Sequence, residues 1–315
     1  MSTWNELLSE LNRLGGAARD EWFNTRLDDA ISRVSQERDG RNILVYFSAF
    51  LQKGDVPPGH IIMMPEDING FMSSFHGMDS SKGLTVVMHT PGGATMAVQS
   101  LVEYTRSKFS DVEVIVPAFA MSAGTMYALS SDRLVLGRQS QLGPIDPQLS
   151  IAGRQHSARS IVEQFDQARR EIVGDPDKEI PANPAAANLW APVLGSFAPS
   201  LLQFANDQLD FSESMVAGWL ARYMFAGDTV KAGEVAHFFN DASHHKSHDK
   251  RIGIQEAREQ SLIVEQLEDN QRLQEAVLTL YHFLTILVEQ TPTTKILSSG
   301  SGRNWMKSWV GMQQG

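Results

Sequence analysis

The chain has 315 residues, 42% hydrophobic and 20% charged, enough for one large or two ordinary globular domains. A formal net charge of −10, with Lys and Arg scattered, argues against nucleic-acid binding, which needs a concentrated basic face. With no cysteine, disulfides, thiolate metal sites and a Cys nucleophile are excluded.

Residues 1–40 read as a helical extension. Trp4, Leu7, Leu8, Leu11 and Leu14 recur at helical spacing, Gly15-Gly16 breaks the pattern, and a charged helix runs on to about Glu37. Ile43–Phe50 is an apolar, β-prone run after the Asp39-Gly40 turn signal. "PPGHIIMM" predicts a turn and a short strand, and Pro65 with its acidic neighbours opens a helix. "GLTVVMHT" is a strand apolar enough for burial on both faces. Helix at Thr95–Phe109, strand at "VEVIVPAF", helix at "SAGTMYALSS" and strand at "RLVLG" follow. Such alternation with short connections predicts a parallel sheet in an α/β fold.

From about Ala158 to Phe239 the pattern is helical, interrupted by the Pro-rich loop "GDPDKEIPANPAAA". "KRIGIQEAREQSLIVEQL" reads as strand, helix, then strand or helix. Residues 268–290 form an amphipathic helix, and the Ser/Gly-rich tail "SSGSGRNWMKSWVGMQQG" is expected to be mobile. The expected organisation is a helical extension over 1–40, a catalytic domain over 41–265 whose 158–240 part is a helical cover, and a C-terminal helix with tail over 266–315. No basic-then-apolar leader opens the chain and no apolar run reaches spanning length, so a cytoplasmic protein without a membrane span is expected.

Two corners carry the chemistry. "HTPGG" (89–93) ends one strand and "AMSAG" (120–124) the next, each before a helix. Both fall at the carboxyl edge of a parallel sheet, where α/β proteins bind ligands. Ser122 then sits at a helix N-terminus, near free N–H groups and the positive end of the dipole. Acyl transfer needs a nucleophile beside two preset N–H donors for the oxyanion. The amide of Gly92 or Gly93 supplies one donor and that of Ala123 the other, with glycine admitting close approach. The bland readings are a plain turn for the glycines and an N-cap for Ser122. "AMSAG" also lacks the first glycine of the hydrolase elbow, Ala120 standing there.

With "SQLGPIDPQ" (140–148), these stretches resemble the serine dehydrogenase proteinase family of the ClpP/crotonase superfamily, relatives of ClpP and of signal peptide peptidase SppA. The resemblance is strong over 84–149 and continues weakly to "SHDKRIGIQEAREQSLIV". It implies a spiral of ββα units with helical additions at both ends, and a ring-like or stacked homo-oligomer. It implies Ser122 as nucleophile, the "HTPGG" glycines in the oxyanion hole, and Ser, Asp and His in chain order, filled here by Asp146 and His248. His245 and His244 are alternative bases. Relatives of the SppA type use a Lys, for which Lys178 is the best-placed candidate, though its acidic neighbours favour a solvated charge. Asp146 also has a bland reading, as a turn residue capping backbone N–H groups. The activity implied is that of an ATP-independent serine peptidase acting on peptides or unfolded polypeptide, with no cofactor and no metal. A non-catalytic scaffold and a crotonase-type acyl-CoA enzyme are the alternatives.

Overall fold

The computed structural model describes residues 4–151, 153–241, 245, 247–300 and 302–311. The sheet strands are β1 (Asn42–Ser48), β2 (Leu84–His89), β3 (Val112–Val116), β4 (Phe119–Ala120), β5 (Arg133–Leu136), β6 (Gln141–Leu142), β7 (Gln148–Ile151), β8 (Arg154–Ser157), β9 (Val264–Gln266), β10 (Thr293–Ser298) and β11 (Asn304–Ser308). The main sheet has seven strands in the order β11-β10-β1-β2-β3-β5-β9. Strands β1, β2, β3, β5 and β9 run parallel, and β10 and β11 join antiparallel at one edge.

Strand period 2 explains why these segments are apolar throughout. Leu44, Tyr46, Val86, Met88, Val114, Val116, Leu134 and Leu136 enter one core, while Ile43, Val45, Phe47, Val87, Ile115 and Val135 enter the other. Both faces are therefore covered by helices. The first is packed by α3 (Ile68–Phe75), α4 (Thr95–Lys108), α5 (Ala123–Leu129), α8 (Leu201–Arg222) and α9 (Thr229–Asn240); α6 (Ala158–Val173) and α7 (Ala187–Gly195) lie before α8 in the chain. The second is packed by α1 (Trp4–Asn12), α2 (Ala17–Gln36) and α11 (Gln271–Gln290), while α10 (Ile254–Glu259) places Ala257 in the first core. In α11, Leu273, Val277, Leu280, Phe283, Leu284 and Leu287 form the buried stripe that i, i+3, i+4, i+7 spacing dictates. The N-terminal helices thus share the core of this second face with α11.

A second, short ladder crosses the carboxyl edge of the main sheet. Thr90 bridges Ala120, β4 pairs with β6 through Ala120 and Leu142, and Leu142 bridges Ile252. Strands β2, β3 and β5 are each followed by a short segment of this ladder, and β2 and β3 then lead into a helix, the ββα rhythm expected. The "IIMM" strand reduces to a single bridge, Met63 to Gly93.

The tail departs from expectation. Gly300 and Gly302 take positive φ where the chain reverses into a hairpin, and residues 304–308 pair with β10 as an edge strand, while 301 and 312–315 lie outside the described residues. Composition alone read that turn as mobility. Strand β10 is masked in the sequence because Lys295 interrupts its β-prone Thr and Ile residues, yet all six of its residues are buried. A separate small core of Leu149, Ala158, Ile161, Ala205 and Leu209 ties α6 and α8 to the β7–β8 hairpin. Among the described residues no helix is long and apolar enough to cross a membrane.

Candidate active site

The two corners meet. Ser122 stands at the N-cap of α5 with φ 51° and ψ −119°, and its hydroxyl caps nothing. This is a region an L-residue occupies only at a cost of roughly 1–3 kcal/mol, held by its surroundings. The strained turn lifts Oγ out of the strand line, so the missing first glycine of the elbow motif has not prevented an elbow. Ser122 is half-buried, and among the described residues its Oγ has no hydrogen-bond partner.

Gly92 lies against that turn. A Cβ on it would fall 2.5 Å from Met121 O, 2.7 Å from Ser122 Cβ and 3.0 Å from Ala123 N, and its φ of +98° also demands glycine. Gly93 faces the other way: a Cβ there would meet the Met63 backbone at 2.3 Å. The two glycines therefore have different reasons. The Gly92 amide is engaged, donating to Thr90 Oγ1 at 3.1 Å. Among the described residues, the N–H groups of Gly93 and Ala123 donate to no protein acceptor. Ala123 is the first residue of α5, so its N–H is one of the helix's orphan donors.

The "SQLGPIDPQ" segment runs beside this turn as a strap. Leu142 exchanges both backbone hydrogen bonds with Ile252, Gly143 N donates to Thr125 Oγ1, and Ile145 N donates to Phe239 O. These ties deliver Asp146 to a buried position where, among the described residues, its carboxylate takes no backbone N–H. Instead Oδ2 accepts from Gln148 Nε2 at 2.7 Å and Oδ1 is 2.7 Å from His248 Nδ1. The bland capping role is thus absent, and the contact is the one a positioned imidazole needs. Asp146 is fully buried at its side chain, whereas the His248 ring remains 25% exposed. With Nδ1 held by the carboxylate, Nε2 is the nitrogen left to exchange a proton.

The other candidates lie apart from this pair. His245 is buried and turns Nε2 to Phe238 O at 2.7 Å. His244 lies outside the described residues. Lys178 is exposed in the short helical turn Pro176–Lys178 of the Pro-rich loop. His89 fills an aromatic cage of Phe47, Phe50, Phe119 and Tyr281, and burial pushes it down to about 3. Among the described residues no three His, Asp or Glu side chains converge as a metal ion would need. Sequence reasoning missed Gln148, the second holder of Asp146, although its place two residues on in "IDPQ" carried the signal.

A strained Ser at a helix N-terminus, two unengaged N–H groups and an Asp–His pair form the set that acyl transfer uses. Residues 29–180 match the family of ClpP-like SDH-type serine proteinases. The family expected from the corner motifs is the family found. The SDH-type match contains Gly92, Ser122 and Asp146, and His248 lies beyond it. Two uncharacterized proteins of Methanocaldococcus jannaschii are similar over shorter stretches. One is 33% identical over 110 residues, 35% of this chain and 37% of that protein. The other is 32% identical over 82 residues, 26% of this chain and 27% of that protein. The chain thus spans 37% and 27% of the lengths of these two curated relatives. Among solved structures, a membrane-bound stomatin-specific protease superposes with a TM-score of 0.38 at 16% identity, covering 65% of this chain and 75% of that one.

Proposed function

We propose that this SDH-type proteinase chain hydrolyses peptides or unfolded polypeptide without ATP, with Ser122 as nucleophile, His248 as base and Asp146 as its orienting carboxylate. The observation that carries the reading is the strained, uncapped Ser122 against Gly92, together with an Asp–His pair that the sequence spreads over 102 positions. In the reaction Ser122 Oγ attacks the substrate carbonyl and its proton passes to His248 Nε2. The Asp146 carboxylate stabilises the imidazolium, and the proton then goes to the leaving amine. The oxyanion is received by the N–H groups of Gly93 and Ala123. Water repeats the sequence on the acyl-enzyme. The catalytic hydrogen bond from Ser122 to His248 forms as substrate binds, as is common when apo geometry is loose.

The buried partner of His248 favours it over Lys178, which stands exposed in the Pro-rich loop. An acyl-CoA enzyme has no need for a Ser in a strained elbow. A cytoplasmic homo-oligomer acting on protein substrates, without nucleic acid, completes the proposal.

Fluorophosphonate labelling with peptide mapping tests it. The adduct is expected on Ser122, absent in Ser122→Ala, slowed about 100-fold or more in His248→Ala, and unchanged in Lys178→Ala. A folded protein that takes no adduct refutes the peptidase reading. Loss with Lys178→Ala alone replaces His248 by the lysine.

A further inference from the structure

A fully buried ion pair lies beneath the segment that holds the "HTPGG" corner. Lys295 Nζ donates to Asp67 Oδ1 at 2.8 Å and Oδ2 at 3.0 Å, and both side chains are wholly excluded from solvent. Tyr46 Oη donates to Asp67 Oδ2 at 2.6 Å. A buried pair of this kind is weak evidence for stability, because desolvation offsets the attraction. Its other bonds show what it does. Lys295 Nζ also donates to Ile62 O at 2.6 Å, and Asp67 Oδ2 accepts from Met64 N at 3.0 Å. The pair therefore grips the backbone on both sides of Met63.

Met63 in turn fixes the two peptides that flank Gly93. Its N–H donates to Gly92 O at 2.7 Å, and its carbonyl accepts from Ala94 N at 3.0 Å. No peptide bond among the described residues is cis. In a trans peptide the N–H points opposite to the C=O. With Gly92 O drawn to Met63, the Gly93 N–H is turned away from Met63. The Gly92 Cα on that corner packs on Ser122 and Ala123. A flip of the 92–93 peptide would present a carbonyl in place of the N–H and leave the oxyanion without one donor.

We infer that Lys295 and Asp67 are positioning residues, a clamp that acts through Met63 to hold the Gly92–Gly93 peptide with its N–H available to the oxyanion. The inference rests on the peptidase reading for its consequence, while the clamp itself is a property of the backbone. It also accounts for a charged residue at the centre of a buried strand, next to Thr294 and Ile296.

Residue-resolved hydrogen exchange and fluorophosphonate labelling, run on the same full-length variants, test it. Lys295→Met keeps the chain length and removes the donor to Ile62 O. The double variant Lys295→Met with Asp67→Asn removes both buried charges, should the single change fail to fold. In either, the Met63 and Ala94 amides are expected to exchange about tenfold faster or more, while Leu280 in α11 keeps its protection. Labelling of Ser122 is expected to slow about 10- to 100-fold at an unchanged unfolding midpoint for the double variant. Tyr46→Phe leaves both grips in place and should match the wild type. Wild-type protection at Met63 and Ala94 in the double variant overturns the clamp. Faster exchange there in the variants, together with a wild-type protein that takes no label, supports the clamp and refutes the peptidase reading.

Discussion

Gly92 shows how one missing Cβ organises the site. Replacing it by alanine puts a methyl group within 3.0 Å of Ala123 N and 2.7 Å of Ser122 Cβ, at a φ that alanine tolerates poorly. The turn cannot give way without moving Ser122 or the helix N-terminus. Gly92→Ala is therefore expected to slow Ser122 labelling by roughly 100-fold or more, the scale of losing one oxyanion donor, while costing about 1–3 kcal/mol of stability. Labelling kinetics with urea unfolding measures both, and a well-folded Gly92→Ala protein labelled at the wild-type rate would remove Gly92 from the site. The residue pattern revealed that a "PGG" corner faces a Ser corner. It did not reveal that the second glycine serves Met63, because the partner segment lies some thirty positions upstream and pairs through a single bridge. Nor did it distinguish the Gly92 amide, taken by Thr90, from the unengaged Gly93 amide.

At the scale of elements, helix α5 and the Asp146 strap are tied by one buried hydroxyl. Thr125 Oγ1 donates to Ala120 O at 2.6 Å and accepts from Gly143 N at 2.9 Å, at zero exposure. Valine has the same shape but neither bond, and it strands two buried backbone groups. Thr125→Val is expected to cost about 1–3 kcal/mol per stranded group, with Thr125→Ser close to the wild type in urea unfolding. An equal loss for both variants would point to packing of the methyl group instead. The strand–helix alternation from β1 to β5 was legible because both-face burial forces unbroken apolar runs. The β7–β8 hairpin and the strands after residue 292 were not. Their sequences, "QLSI", "RQHS" and "TTKILS", are polar or interrupted, and tertiary partners such as Asp67 make them strands.

The whole molecule carries an acid sensitivity that can be traced to one ring. His89 is almost fully buried, and among the described residues neither of its nitrogens has a partner. Burial holds it neutral, down to about 3, against about 6.5 in an unfolded chain. Above pH 6.5 the ring is neutral in both states and does not affect stability. Below that, the unfolded chain takes up a proton that the folded one refuses, so stability falls as the pH drops from about 6.5 toward 3. At about 1.4 kcal/mol per pH unit, the loss between pH 7 and pH 5 attributable to this ring is about 2 kcal/mol. His282 is pushed down by burial as well, so the wild type alone cannot isolate the effect. Phenylalanine at position 89 would keep the ring contacts with Phe47, Phe50 and Tyr281 and remove the titration. The His89→Phe protein should therefore lose about 2 kcal/mol less than the wild type between pH 7 and pH 5 in urea titrations. Equal losses in the two proteins would mean that His89 opens to solvent before global unfolding. The cage at the base of the "HTPGG" corner would then be a local opening unit rather than part of the cooperative core.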